Sequence, residues 1–331
     1  MNTHLVVCAM RNEGPFILEW VAWQKMLGFD DILIAYNDCT DHSPQMLAIL
    51  EQAGWVTAIE HHPRPGRPPQ ASAFHHAARH PLVQAADWMF ICDVDEFLIL
   101  HAGDGTLPDF VGPDVPDVAG IAIHWKCFGD SGLAEWHDGL THRTFTHAAP
   151  EQSRANIFFK SLIYQPRRFG RFGTHSPRRW QGAGAWNEGS NHWIRSNGAR
   201  MSNFNPDTNA QRLTRPRWVT HTNAQLNHYV IRTRENFEFK RGQLSASSFA
   251  DRYTDDFLAC HNRNDEQDLS ALAYAPRFDP IYAEICALPG IMRLHHLCCA
   301  DYIAAICARR GDDPRADLRW IAHMDQAASA G

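Results

Sequence analysis

Three carboxylates stand together where an apolar run ends. The segment ADWMFICDVDEFLIL, Ala86 to Leu100, carries Asp93, Asp95 and Glu96 between two hydrophobic stretches. Like charges at such a junction repel one another and resist desolvation, so something must compensate them. Residues two apart on a strand share a face, so Asp93 and Asp95 converge on one ligand where the strand ends. A hard divalent cation, Mg2+ or Mn2+, takes oxygen ligands and completes its shell with substrate phosphates. The plainer alternative is a polar turn whose acids cap the next segment. The buried strand just before it favours the cation.

The elements that must position these groups alternate. HLVVCAM (His4 to Met10) reads as a buried strand. In GPFILEWVAWQKMLG, the residues Phe16, Trp20, Trp23 and Leu27 recur at three or four, which predicts a helix with Pro15 in its first turn and Gly28 at its C-cap. Asp31 to Asn37 is a second strand, and Ser43 to Gly54 a second helix with Ser43 as N-cap and Pro44 at the first helical position. WVTAIEHH is a third strand, Gln70 to His80 a third helix, and Trp88 to Cys92 a fourth strand. This order predicts an α/β fold with a doubly wound, mostly parallel sheet and helices on both faces. Ligands bind such sheets beyond the carboxyl ends of the strands. Polar clusters fall there three times: Arg11 to Glu13 (RNE), Asn37 to Asp41 (NDCTD) and the DVDE run. Arg11 and Glu13 suit nucleotide recognition or a plain strand-to-helix turn. Asp38 suits a base imide or ribose, or a helix-entry turn shared with Asp41 and Ser43.

The chain has 331 residues, 44% apolar and 21% charged, enough for one large domain or a domain with an appendage. A net charge of -6 implies no general nucleic-acid affinity. Nine cysteines, an odd number with no CxxC pair, argue against a disulfide framework and against a zinc site of the usual spacing. A reducing cytoplasm is the expected setting. The N-terminal apolar run is short for a signal peptide, and no stretch approaches the roughly 20 apolar residues of a membrane span, which leaves peripheral membrane contact open. Residues 103–116 read as loop, Gly120 to Gly129 as strand, and 130–225 as loop-rich, aromatic and basic. Ala224 to Gln243 begins as strand and finishes as helix; beyond Asn264 the pattern is helical. The predicted organisation is 1–263, divided at 102/103 into a nucleotide-binding and an acceptor half, followed by a helical extension over 264–331.

The run CAMRNEGPFILEWVAWQKMLGFDDILIAYNDCTDHSPQML, followed by DVDEF, resembles the family-2-like glycosyltransferases, in the branch related to the family-92 proteins. The resemblance covers about Val6 to Gly129, with echoes in FFKSLIYQP and LNHYVIRTRENFEFKRG. It implies a GT-A fold, a nucleotide-sugar donor (a UDP-sugar first among them), inverting transfer and a D-x-D metal site. Asp93 and Asp95 would be that pair, with Asp95 the direct ligand of Mn2+ or Mg2+. Arg11, Glu13 and Asp38 would line the nucleoside pocket. Many members carry Asp-Asp-x-Ser after the second strand, where this chain has Asn37-Asp38-Cys39-Thr40, so base preference stays open.

Other residues join more loosely. Arg64, Arg67 and Gln70 enter the third helix, where guanidinium groups and a helix N-terminus favour phosphate. His228 is the candidate third metal ligand, as imidazole sits beside D-x-D pairs in GT-A enzymes that this chain resembles. Lys240 and Arg241 meet a diphosphate or form a solvated helix face. An inverting transfer needs a carboxylate to take the acceptor proton. FGDSGLAEWHDG offers Asp130, Glu135 and Asp138, with Asp130 preferred and Glu188 as a rival. The tryptophans from Trp180 to Trp193 stack an acceptor sugar or form core. His295 and Cys299 share a helix face, but with His296 and Cys298 they do not converge, so packing is the reading there. The acceptor would be a glycan or a lipid-linked hydroxyl in surface polysaccharide synthesis. Two alternatives stand: a non-catalytic nucleotide- or carbohydrate-binding protein, and a sugar nucleotidyltransferase. The latter usually has a glycine- and basic-rich loop after the first strand, which AMRNEGPF lacks.

Overall fold

Residues 2–330, apart from Arg67, Val115, Ser247 and Ser248, are described in a computed structural model. The first strand, β1 (His4–Met10), lies between β2 (Asp31–Tyr36) and β4 (Trp88–Ile91), with β3 (Thr57–Glu60) outside β2; all these pairs are parallel. Helices α1 (Gly14–Leu27), α2 (Ser43–Gln52) and α3 (Pro69–Ala77) make the crossovers. The first helix starts with Pro15 in its first turn and ends at Gly28, whose φ of 92° is the left-handed conformation that glycine adopts without strain. Ser43 is not an N-cap. His42 holds that place, and Ser43 donates its N–H and hydroxyl to the Asp41 carboxylate, which gathers the turn into itself.

The sheet continues through strands of both directions. Its order is β3-β2-β1-β4-β7-β6-β9-β5, with β5 at Glu96–Leu100, β6 at Gly120–Cys127, β7 at Phe159–Tyr164 and β9 at Ala224–His228; the short β8 (Trp193–Arg195) also pairs with β6. β7 runs antiparallel between β4 and β6, and β5 antiparallel to β9. β7 lies within residues 130–225, which read as loop-rich in the sequence. It is buried on both faces, so FKSLIY shows no strand alternation.

After β9 come α4 (Arg234–Lys240) and three longer helices, α5 (Ala275–Cys286), α6 (Ile291–Arg310) and α7 (Leu318–Ser329). α5 and α6 pack on α1, and α6 also on α2 and α7. This is why α1 is buried nearly all round rather than along one stripe. α6 is long and apolar enough to cross a membrane, contrary to the sequence expectation, and here it is a core helix with Cys298, Cys299, Ile303 and Ile306 buried. All nine cysteines are free.

Candidate active site

The carboxyl ends of β1, β2, β4, β6 and β9 open on one edge of the sheet, and the antiparallel β5 and β7 begin there. That topology brings Glu13, Asp93, Asp95, Glu96, Lys160 and His228 together from four stretches of the chain. α1 fixes the β4–β5 loop: the buried Trp20 donates its indole N–H to the Asp93 carbonyl at 3.1 Å, and Trp23 donates to Leu98 O at 3.1 Å.

Part of the compensation sought for the three acids is a lysine. Phe90 pairs with Leu162, so Lys160 lies two residues further toward the strand ends. Its fully buried ammonium is 2.7 Å from Asp93 Oδ2 and 3.2 Å from Glu96 Oε2. Glu96 also accepts from the Asp93 N–H at 2.8 Å and from Trp125 Nε1 at 2.7 Å. Burial, helped by Asp93 and Asp95, pushes the Glu96 carboxyl up to about 8 against the pull of Lys160. Burial also works to lower the Lys160 ammonium, but Asp93 and Glu96 outweigh it and hold it charged. The other Asp93 oxygen accepts from Gln70 Nε2 at 2.8 Å. Both oxygens of Asp93 are thus taken by protein donors.

Asp95 differs. Its nearest basic side chains are His228 Nε2 at 3.8 Å and Lys240 Nζ at 3.9 Å, both beyond hydrogen-bond length. Burial works to raise its carboxyl, yet the basic groups around it, His228 first and then Lys240, Arg232 and Arg252, hold it well below the usual carboxylate range. His228 itself is pushed well below its ordinary value by burial, against the attraction of Asp95. At neutral pH the pair is therefore a carboxylate and a neutral imidazole, and the cations beside it are Lys240, Arg232 and Arg252. His228 Nδ1 is buried with no hydrogen-bond partner among the described residues. Two ligands at about 2.1 Å from one ion stand about 3–4 Å apart, so this donor pair fits a divalent cation.

Beside it, a cavity of about 110 Å³ is lined by Arg11, Asn12, Glu13, Arg232, Lys240 and Tyr302, among others. Arg232 is 2% exposed, lies 3.5 Å over the Phe16 ring, and its Nε and Nη2 have no hydrogen-bond partner among the described residues. A buried guanidinium with free donors is costly unless an anion meets it. Its φ of 54°, with Asn12 at 56° and Asp38 at 47°, puts three non-glycine residues of this edge in the left-handed region. Each such residue costs about 1–3 kcal/mol at most, least for Asn and Asp, and such strain clusters at functional sites. Asn12 ties the first two loops by accepting from Thr40 N–H at 2.7 Å and donating to Thr40 Oγ1 at 3.0 Å. Glu13 is pushed up to about 7 by burial, with Arg232 and Lys240 opposing and Asp95 and Asp41 adding to the rise.

The remaining described candidates make no hydrogen bond to this set among the described residues. Asp38 is exposed and accepts from Asn37 Nδ2 at 2.9 Å. Arg67 lies outside the described residues. Asp130 leaves β6 three residues after Cys127, the partner of His228. Its carboxylate accepts from Gly132 N–H at 3.0 Å, Asn264 Nδ2 at 3.1 Å and Asn262 Nδ2 at 2.8 Å. Glu188 is exposed and caps its own turn through the Ala185 N–H. Trp180, Trp186 and Trp193 pack with Phe169 and Phe204 in or against the second core cluster, mostly edge-on, with Trp193 tilted on Phe204, so the tryptophan-rich stretch is packing. Lys160 and Arg232 were missed. The signal for Lys160 was a lone lysine inside an apolar run. Arg232 carried none beyond its place four residues after His228.

A family model for glycosyltransferase family 92 matches residues 4–236. The chain belongs to glycosyltransferase family 92. A family-92 protein of Ricinus communis is 30% identical over 133 residues, which is 39% of this chain and 23% of that relative. S. aureus TarS residues 1–349 in complex with UDP-GlcNAc is 10% identical over 99% of this chain and 92% of that one, with a TM-score of 0.32. A mycobacterial protein is 18% identical over 36% of this chain and 39% of that one, with a TM-score of 0.26. Neither score bears on the fold, which rests on the strand order and register.

Proposed function

We propose that this family-92 chain is a metal-dependent, inverting glycosyltransferase with a family-2-like GT-A site, moving a sugar from a nucleoside-diphosphate donor, a UDP-sugar first, to a hydroxyl acceptor. The observation that carries this reading is the pairing of a divalent-cation donor set, Asp95 with His228, and an anion-ready cavity beside it, lined by Arg232 and Lys240. A cation held by Asp95 and His228 would supply positive charge to the departing diphosphate. Arg232 and Lys240 add fixed charge on the cavity side, where low dielectric strengthens it. Arg11, Glu13 and Asp38 flank the nucleoside, and Asp93, held by Lys160 and Gln70, orients the donor rather than ligating directly. Asp130 is the proposed proton acceptor. Three donors use three of its roughly four acceptor sites and leave one for the acceptor hydroxyl. The acceptor is proposed to be a glycan or lipid-linked hydroxyl, and the setting the cytoplasm, peripheral to its membrane.

The test is thermal unfolding with UDP, GDP or CDP, each with and without Mn2+, for wild type and Asp95→Ala. A ligand at about 100 times its Kd adds about 2.7 kcal/mol to the native state. The expected result is a rise for one nucleotide that needs both Mn2+ and Asp95. No rise with any nucleotide, for folded protein, would leave a non-catalytic carbohydrate-binding protein as the better reading.

A further inference from the structure

Away from the strand ends, five metal-binding side chains of three kinds meet where α6 and α7 pack against the loop after β6. His295, His296 and Cys299 come from α6, His323 from α7 and Asp138 from the loop. Asp138, His295 and His296 present donor atoms within 4.8 Å of one another, and so do Asp138, Cys299 and His323. His295 Nε2 lies 3.0 Å from Asp138 Oδ2 and 3.6 Å from Cys299 Sγ. His296 Nδ1 lies 3.2 Å from His323 Nδ1. Zinc bonds of about 2.0–2.3 Å at tetrahedral angles separate neighbouring ligands by about 3.3–3.7 Å. Between the prospective ligands the separations, 3.0 and 3.6 Å with the Asp138, Cys299 and His323 donors within 4.8 Å of one another, lie near that spacing.

The surroundings suit a closed site. His295, Cys299 and His323 are buried, and the Asp138 side chain, 31% exposed, leaves an entry path. His295 Nδ1 has no hydrogen-bond partner among the described residues. The loop is anchored just beyond Asp138: the buried Glu19 of α1 accepts from the Thr141 and His142 N–H groups at 2.9 and 3.0 Å and from the His142 ring at 2.7 Å. Cys298 does not take part. It faces α1, where a Cβ on Gly14 would overlap its sulfur. The mixed nitrogen, sulfur and oxygen set is one that zinc takes, and differs from the oxygen-rich edge that suits Mn2+ or Mg2+.

We propose that Asp138, Cys299 and His323, whose donor atoms meet within 4.8 Å, bind one structural Zn2+ that fastens α6 and α7 to the loop following β6, and that His295, 3.0 Å from Asp138 and 3.6 Å from Cys299, swings in as the fourth ligand. His296 stands behind His323 as an outer partner. The zinc holds in place the helix whose Tyr302 lines the cavity beside Glu13.

The full chain, purified without chelators, is assayed for zinc by plasma mass spectrometry, and its zinc affinity by competition with a chromophoric chelator. Expected are about one zinc per chain and affinity losses above about 100-fold in Asp138→Asn, His295→Gln and Cys299→Ser. That exceeds the roughly 10- to 100-fold typical of outer-shell changes, which is the range expected of His296→Gln. Co2+ substitution should give a thiolate charge-transfer band that Cys299→Ser lacks. Asp138→Asn alters a partly exposed loop side chain, so it keeps the test open if the buried variants misfold. Asp95→Ala should retain the zinc, which separates this site from the strand-end donors. Wild-type protein that neither carries zinc nor competes for it, or variants that bind as wild type does, would overturn the proposal.

Discussion

The strand-end edge and the α6–α7 cluster both gather acids and histidines, by opposite routes. At the edge, topology does the gathering. Parallel strands must all end on one side, so residues far apart in sequence meet there whatever their neighbours are. In the cluster, helical spacing and helix packing do it, and half of the set comes from a loop and a second helix. Among the described residues the edge leaves its key groups incompletely satisfied: Asp95 with no hydrogen-bonded cation, His228 Nδ1 without a partner, Arg232 with free donors. The cluster leaves donor atoms facing one another at ligand spacing. Groups left wanting suit a substrate that comes and goes, whereas converging donors suit a resident ion.

The sharpest way to break this contrast is to exchange the readouts. Asp95→Ala should cut sugar transfer by roughly 10³-fold, the scale of losing a principal electrostatic stabiliser, while zinc content stays unchanged. Cys299→Ser should do the reverse in kind, losing zinc and thermal stability while nucleotide still binds in a Mn2+-dependent way. If Asp95→Ala also empties the zinc site, or if transfer survives it, the two regions are not separate in function. Donor-transfer kinetics and metal analysis on the same preparations decide it.

The two regions also differ in how legible they were. The edge could be read because polar runs interrupt apolar ones at fixed places: RNE, NDCTD and DVDE each follow a strand. Its hidden member, Lys160, sits in a strand buried on both faces, and a continuous apolar run carries no period to mark it. The cluster was half visible. His295 and Cys299 were seen to share a helix face, but Asp138 lies 157 residues from His295 in sequence and His323 on a separate helix. Only tertiary packing brings them in. The third strand and second helix fell where expected, whereas the N-cap moved by one residue because Asp41 claimed both the N–H and hydroxyl of Ser43.

A second test asks whether the acids at the edge depend on protein or on ligand. Lys160→Met removes the buried counter-charge of Asp93 and Glu96 while keeping similar length. Breaking a buried pair costs about 3–5 kcal/mol. We expect roughly 3, because Glu96, already raised to about 8, can escape by keeping a proton. Urea unfolding should therefore show a larger loss at pH 9 than at pH 6.5. A loss under about 1 kcal/mol at both would mean that Lys160 is not the counter-charge the edge relies on.

The smallest effect expected is a pH slope from Glu13. Burial raises its carboxyl from an ordinary 4.5 to about 7, with Arg232 and Lys240 limiting the rise. Between those values the folded protein holds a proton that the unfolded chain has lost. Stability therefore falls as pH rises through that window, and the full cost is present above pH 7. Glu13→Gln cannot titrate, so its stability relative to wild type should climb from pH 4.5 to 7.5. Glu13 is partly exposed, and solvent screening reduces the change to the order of 1 kcal/mol. The zinc cluster offers the control, since His296→Gln should not reproduce this window. A flat difference would mean that Glu13 is charged throughout, and that Arg232 already has its anion in the protein rather than awaiting a diphosphate.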